Sequence, residues 1–160
     1  DFNTLYDQLE LNSFQYQLQL QVATYFALQK RSTFKVSVNA ATFISKNPIT
    51  RNEQFRIGGN QLLRGFDEES IFTTNYAVAT AELRLLLGQN SYLFAFGDFG
   101  YIENITVDRR IFDRPIGMGA GITFETKVGL FGFSLAVGKQ QNTGFDFRSV
   151  KTHFGYVSLF

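Results

Sequence analysis

The sequence predicts an all-β chain that crosses a membrane as part of a transmembrane antiparallel up-and-down β-barrel. Three observations carry that prediction. Apolar and polar residues alternate at every second position, over segments well beyond the roughly 5–6 residues of a soluble strand and matched to the roughly 9–11 that a tilted strand needs to cross a bilayer. Aromatic residues are abundant, with 19 Phe and 7 Tyr among 160 residues, yet they never gather into the apolar runs of a buried soluble core. Short turns and long loops take turns along the chain, as they do in outer-membrane barrels, where the long loops are extracellular.

Segment 13–29 is the clearest strand. Phe14, Tyr16, Leu18, Leu20, Val22, Thr24, Phe26 and Leu28 share one face, and Gln15, Gln17, Gln19, Gln21, Ala23, Tyr25 and Ala27 share the other. A period of two puts these sets on opposite sides of a sheet, one toward lipid and one toward a wet lumen. Segment 32–45 sets Phe34, Val36, Val38 and Ile44 against Lys35, Ser37 and Asn39, and segment 75–87 sets Ala77, Ala79, Ala81, Leu83 and Leu85 against Thr80, Glu82 and Arg84. In segment 91–103, Leu93, Ala95, Phe99 and Tyr101 oppose Phe94, Phe96 and Asp98. Segment 115–126 places Met118, Ala120, Ile122 and Phe124 opposite Gly117, Gly119 and Gly121. Segments 128–137 and 151–160 complete the set, the first presenting Phe131, Phe133 and Leu135, the second Phe154, Tyr156 and Phe160. The turns at 29–31, 88–90 and 126–127 are short, and the links 46–74, 103–114 and 138–150 are long.

Seven strands alone leave two open edges, and unpaired backbone groups in hydrocarbon are costly. Residues 1–12 alternate poorly as an eighth. The expectation is therefore that 1–160 is one portion of a larger barrel, with further strands preceding Asp1 or coming from another chain. The absence of a leader at Asp1 is what a processed or truncated exported chain would show.

Other classes find little support. No window nears the roughly 18–20 consecutive apolar residues of a membrane helix. A net charge of +1 gives no nucleic-acid footprint. With no Cys and one histidine, His153, thiolate or zinc sites and Ser–His or Cys–His catalysis lack partners, so neither enzyme activity nor a metal or cofactor is expected. His153 reads as an ordinary strand residue, Asp67 to Glu69 as a solvated acidic run, and Gly58–Gly59 lacks the spacing of a phosphate loop. Strand length and the number of outward Phe oppose a soluble β-sandwich or lipocalin-like barrel.

The long loop 46–74 is unusually apolar and glycine-punctuated around Phe55 to Phe66, which suggests that it packs, and the lumen is the nearest cavity. Here the sequence resembles the BamA–TamA outer-membrane assembly barrels, a bacterial surface antigen superfamily related to two-partner secretion transporters. Leu63-Arg64-Gly65-Phe66 is similar to that family's RGF/RGY loop motif. Glu82-Leu83-Arg84 on the next strand is similar to its E-x-R, and Phe96-Gly97-Asp98-Phe99-Gly100 to its F-x-D-x-G. A glycine-rich strand at 117–121 and a terminal aromatic follow in order.

The resemblance implies a sixteen-strand barrel in the bacterial outer membrane, of which this chain would supply the last seven strands. It implies that Arg64 pairs with Asp98 inside the lumen, with Glu82 nearby and Phe66 against Phe96, and that Gly65 belongs to the same lock between loop and lumen. Phe154, Tyr156 and Phe160 resemble the terminal β-signal of outer-membrane proteins, from which Ser158 departs. The implied function is assembly and insertion of β-barrel proteins. The implied partners are the lipid bilayer, upstream strands and POTRA domains, client barrels and accessory lipoproteins. Two alternatives stay open: a two-partner secretion transporter and a passive porin-like channel.

Overall fold

A computed structural model describes residues 15–45, 49–106 and 109–158. Phe14, Phe160 and the poorly alternating segment 1–12 lie outside them. Seven long strands form the wall: β1 (Gln15–Gln29), β2 (Ser32–Ser45), β5 (Asn75–Leu86), β6 (Tyr92–Ile105), β8 (Ile116–Thr126), β9 (Gly129–Lys139) and β10 (Lys151–Val157). They pair antiparallel in the order β1-β2-β5-β6-β8-β9-β10, so each sequence neighbour in the wall is a spatial neighbour. Among the described residues the sheet is open, with β1 and β10 as its edges.

Three short strands depart from the sequence reading. The long loop carries its own hairpin, β3 (Phe55–Ile57) with β4 (Ile71–Thr73), and β7 (Arg110–Asp113) pairs with the end of β6. Each holds only three or four residues, too few for alternation to stand out from loop sequence.

Register keeps the two faces separate across the whole wall. On one, Val22 pairs with Val38, Val38 with Ala79 and Ala79 with Phe99. On the other, Ser37 pairs with Thr80, Thr80 with Asp98 and Asp98 with Gly117. A slip of one residue anywhere would exchange the faces.

Burial is inverted relative to a soluble protein. Leu83, Phe99, Phe124 and Leu135 are all more than 40% exposed, while Ser37, Glu82, Asp98, Ser134 and His153 are all below 9%. Water would penalise that outer face, whereas hydrocarbon favours it. A soluble sandwich or lipocalin, with its Phe residues turned inward, is the opposite arrangement.

Apolar burial on the inner face is concentrated where the loop sits. Ile57, Leu63 and Ile71 from the loop pack with Val78 of β5 and Ile102 of β6, and Phe55, Leu62, Phe66 and Tyr76 surround them. Tyr76 and Val78 share the parity of Thr80 and Glu82, so the inner face of β5 is apolar at its loop end and polar beyond. That gradient seats the β3–β4 hairpin.

The face assignment predicts a large asymmetry. Ala79→Arg, mid-strand on the outer face, should cost about 2–4 kcal/mol of stability in a bilayer. Gln21→Arg on the exposed inner face of β1 should cost under about 1 kcal/mol. Equilibrium refolding of the membrane-embedded protein from urea measures both, and equal costs would contradict the faces drawn above.

Candidate functional site

The chain between β3 and β4 turns back on itself through Gly58 and Gly59, both with positive φ (109° and 104°), and carries its tip, Leu63-Arg64-Gly65-Phe66, across the wall. Leu63 has φ 62° and no exposed surface. A left-handed leucine is unfavourable in itself, and the apolar cluster closing around its side chain holds it there. That twist aims Arg64 at the polar part of the inner face.

Arg64 makes four bonds to two carboxylates. Its Nε donates to Asp98 Oδ2 at 3.0 Å and its Nη2 to Asp98 Oδ1 at 2.9 Å, a bidentate fork. Its backbone N–H donates to the same Oδ2 at 2.8 Å, and Nη1 donates to Glu82 Oε2 at 2.9 Å. Thr80 Oγ1 adds a bond to Asp98 Oδ1 at 2.8 Å. Asp98 thus accepts from four donors, which uses about all the capacity of a carboxylate. Arg84 Nε donates to Glu82 Oε1 at 2.7 Å, so two cations and two carboxylates balance within one cluster.

The guanidinium carbon of Arg64 lies 3.4 Å from the centroid of the Phe96 ring, which adds a cation–π contact beneath the salt bridges. Burial by itself would lower the Arg64 pKa, but hydrogen bonding and attraction to Asp98, then to Glu82, outweigh it and hold the pKa above its ordinary value. Among the described residues, no buried side-chain nitrogen or oxygen lacks a partner. A buried ionic cluster completed in this way is specific in geometry, and removing one member strands the others.

Glycines make the close approach possible. Gly65 (φ 99°) lies against β9 so tightly that a Cβ would stand 2.5 Å from the Val137 carbonyl oxygen. At Gly117, a Cβ would overlap the carbonyl oxygen of Arg64. The inner face of β8 is thus a bare backbone track on which the loop tip rests.

Arg64, Gly65, Glu82, Phe96 and Asp98 lie together. Phe66 differs from the sequence expectation: its ring lies over Gly138, where a Cβ would meet Phe66 Cε2 at 2.7 Å, and it joins the loop's apolar cluster. The guanidinium takes the face of Phe96 instead, because Arg64 reaches that strand one residue earlier in the loop. Phe154 and Tyr156 stand apart on the outer face of β10, paired with Phe133 and Phe131. Tyr156 donates its hydroxyl to the Val128 carbonyl at 2.7 Å. Phe160 is outside the described residues.

Sequence reasoning missed Thr80, Gly138 and His153 as members of the site. Thr80 shares parity with Glu82, and its place beside Asp98 follows from the β5–β6 register, which sequence alone leaves open. His153 Nε2 accepts the Gly65 N–H at 3.4 Å, a contact between residues 88 positions apart with no local signal. Among the described residues, no group of three His, Cys, Asp or Glu side chains is disposed to hold a metal.

Gly117→Ala should lift the tip from β8, whereas Gly132→Ala, with only van der Waals neighbours at 3.9 Å, should leave it seated. Limited trypsin digestion in membranes, with cleavage at the Arg64–Gly65 bond followed by mass spectrometry, should show at least ~tenfold faster cutting in the first variant alone.

Comparison with known families matches this chain to the Omp85 superfamily domain over residues 2–154. Comparison with curated proteins found no match. The superfamily comprises bacterial outer-membrane β-barrels that meet the lipid bilayer and substrate proteins, and it covers BamA, TamA and the two-partner secretion transporters. An open antiparallel wall, an apolar outer face and a match across nearly the whole chain lead to one conclusion: the protein belongs to the Omp85 superfamily of the bacterial outer membrane.

Proposed function

We propose that this chain is the loop-bearing wall of an outer-membrane assembly factor of the BamA–TamA type, which folds and inserts client β-barrel proteins by templating their strands. The observation that carries the reading is the charge-balanced cluster of Arg64, Asp98, Glu82 and Arg84, which pins the loop to the inner face of the wall. In this reading a client strand pairs its backbone donors and acceptors with those of the barrel's closing strands. In a bilayer such pairing is strongly favoured, because hydrocarbon offers those groups no other partner.

In this reading, 46–74 is a lumen-folded loop, Arg64, Gly65, Phe66, Glu82, Phe96 and Asp98 form its lock, and Phe154, Tyr156 and Phe160 serve as the β-signal for the protein's own assembly. The wall is part of a larger barrel, sixteen-stranded by the resemblance, with POTRA domains upstream and accessory lipoproteins as partners. No cofactor or covalent step is needed. The second reading, a two-partner secretion transporter, draws on a polar recess beside the loop tip lined by Gln21, Lys35, Asn39, Gln61 and Arg84. Such a recess suits an extended chain passing through.

Arg64→Ala should slow insertion of a client barrel into proteoliposomes carrying the intact protein by at least ~tenfold, since truncating one member of a buried ion pair costs about 3–5 kcal/mol. The variant's own heat-modifiable gel migration should persist. Client insertion at the wild-type rate, with the loop tip shown to be released, would sink the lock as part of the function. Export of a dedicated substrate without client insertion would select the transporter.

A further inference from the structure

The inner face of β10 meets the loop at three successive inward positions. Lys151 Nζ lies 2.6 Å from Asp67 Oδ1. Two residues on, His153 Nε2 accepts the Gly65 N–H at 3.4 Å. Two further on, a Cβ at Gly155 would stand 3.0 Å from the Asn60 side-chain amide. Loop positions fall from 67 to 65 to 60 as strand positions rise from 151 to 153 to 155. The loop therefore runs antiparallel along the inner face of β10, and the contacts follow the strand's own period of two.

We infer that the loop staples β10 to the wall, and that His153 is the positioning residue of that staple. Among the described residues β10 has a single ladder partner, β9. Contacts across the face of β10 add to what that ladder supplies and slow its local opening. The three contacts differ in weight. Lys151 and Asp67 are 33% and 69% exposed at their side chains, so water screens their attraction. His153 is 7% exposed, and an N–H stranded in that setting pays the full desolvation penalty. Accepting at Nε2 also fixes the ring proton on Nδ1.

The arrangement joins two parts of the wall. Gly65 follows Arg64 directly, so one loop tip is tied to β5 and β6 through carboxylates and to β10 through an imidazole. The edge strand is thereby coupled to the ionic cluster without touching it. This coupling is a property of the wall itself and does not depend on what the wall assembles.

Amide hydrogen exchange on the intact protein in phospholipid vesicles tests the staple, reading residues 151–157 against the β5–β6 ladder as internal reference. His153→Ala should speed exchange across 151–157 by at least ~fivefold and leave the reference unmoved. His153→Gln, whose side-chain oxygen can accept the same N–H, should return most of the protection. Asp67→Lys should loosen β10 less, and the swap Asp67→Lys with Lys151→Asp should restore it. Unchanged exchange in His153→Ala, or failure of His153→Gln to protect better than alanine, overturns the inference. Should His153→Ala not insert, the charge-swap series decides: no loosening in Asp67→Lys, or none of it recovered in the swap, overturns the inference.

Discussion

A guanidinium removed from water demands carboxylates at hydrogen-bond distance, and Arg64 meets that demand with Asp98 and Glu82 from two adjacent strands. Much else in the structure is arranged around that contact. Asp98 and Glu82 need donors enough to tolerate their own burial, so Thr80 and Arg84 complete them. The loop must bring its backbone as close as its side chain, because the Arg64 N–H is itself a ligand of Asp98. That closeness requires glycine on the strand beneath. One buried charge therefore dictates residue types on β5, β6 and β8 and in the loop.

Solvent sets the complementary constraint. In water, the apolar outer face would drive collapse or aggregation, and the buried polar inner face would be an expensive core. In a bilayer the signs reverse. The outer face faces hydrocarbon without cost, and the inner polar groups satisfy one another or meet water in the lumen. Among the described residues, the apolar cluster on the inner side, around Leu63, Val78 and Ile102, exists because the loop brings its own hydrophobic residues to bury there.

The wall was legible in the sequence because a half-lipid, half-lumen strand must alternate at every step. All seven wall strands appear in their expected order, and their ends agree to within a few residues. The site was legible in part. The parity of Glu82, Phe96 and Asp98 follows from period alone, but which rung of β6 meets which rung of β5 depends on register, so Thr80 went unseen. The placing of Phe66 against Phe96 is implied by the family resemblance, not by any pattern in the strands. The left-handed backbone at Leu63 and Gly65 turns successive side chains in different directions, and that twist leaves only a glycine in the sequence as its sign. His153 was hidden for a simpler reason: a lone histidine in a strand says nothing about what lies across a lumen.

The glycines of β8 show why loop and wall form one unit. Glycine in a strand interior loses conformational entropy and packs nothing, so a run at Gly117, Gly119 and Gly121 weakens the sheet taken alone. Each, however, is filled from outside its own strand. Gly117 receives the Arg64 backbone, a Cβ at Gly119 would stand 2.8 Å from the Phe96 ring, and one at Gly121 would stand 2.6 Å from the Phe94 ring. The side chains missing from β8 are thus replaced by neighbouring rings and, at Gly117, by the loop itself. A wall built in this way is complete only with its loop seated. Any event that lifts Arg64 from Asp98 strands a buried charge and bares the end of β8 nearest the loop, while the bond from Gly65 to His153 carries the same displacement to β10. Anchor, glycine track and edge strand consequently respond together, and the coupling arises from packing and charge within the described wall.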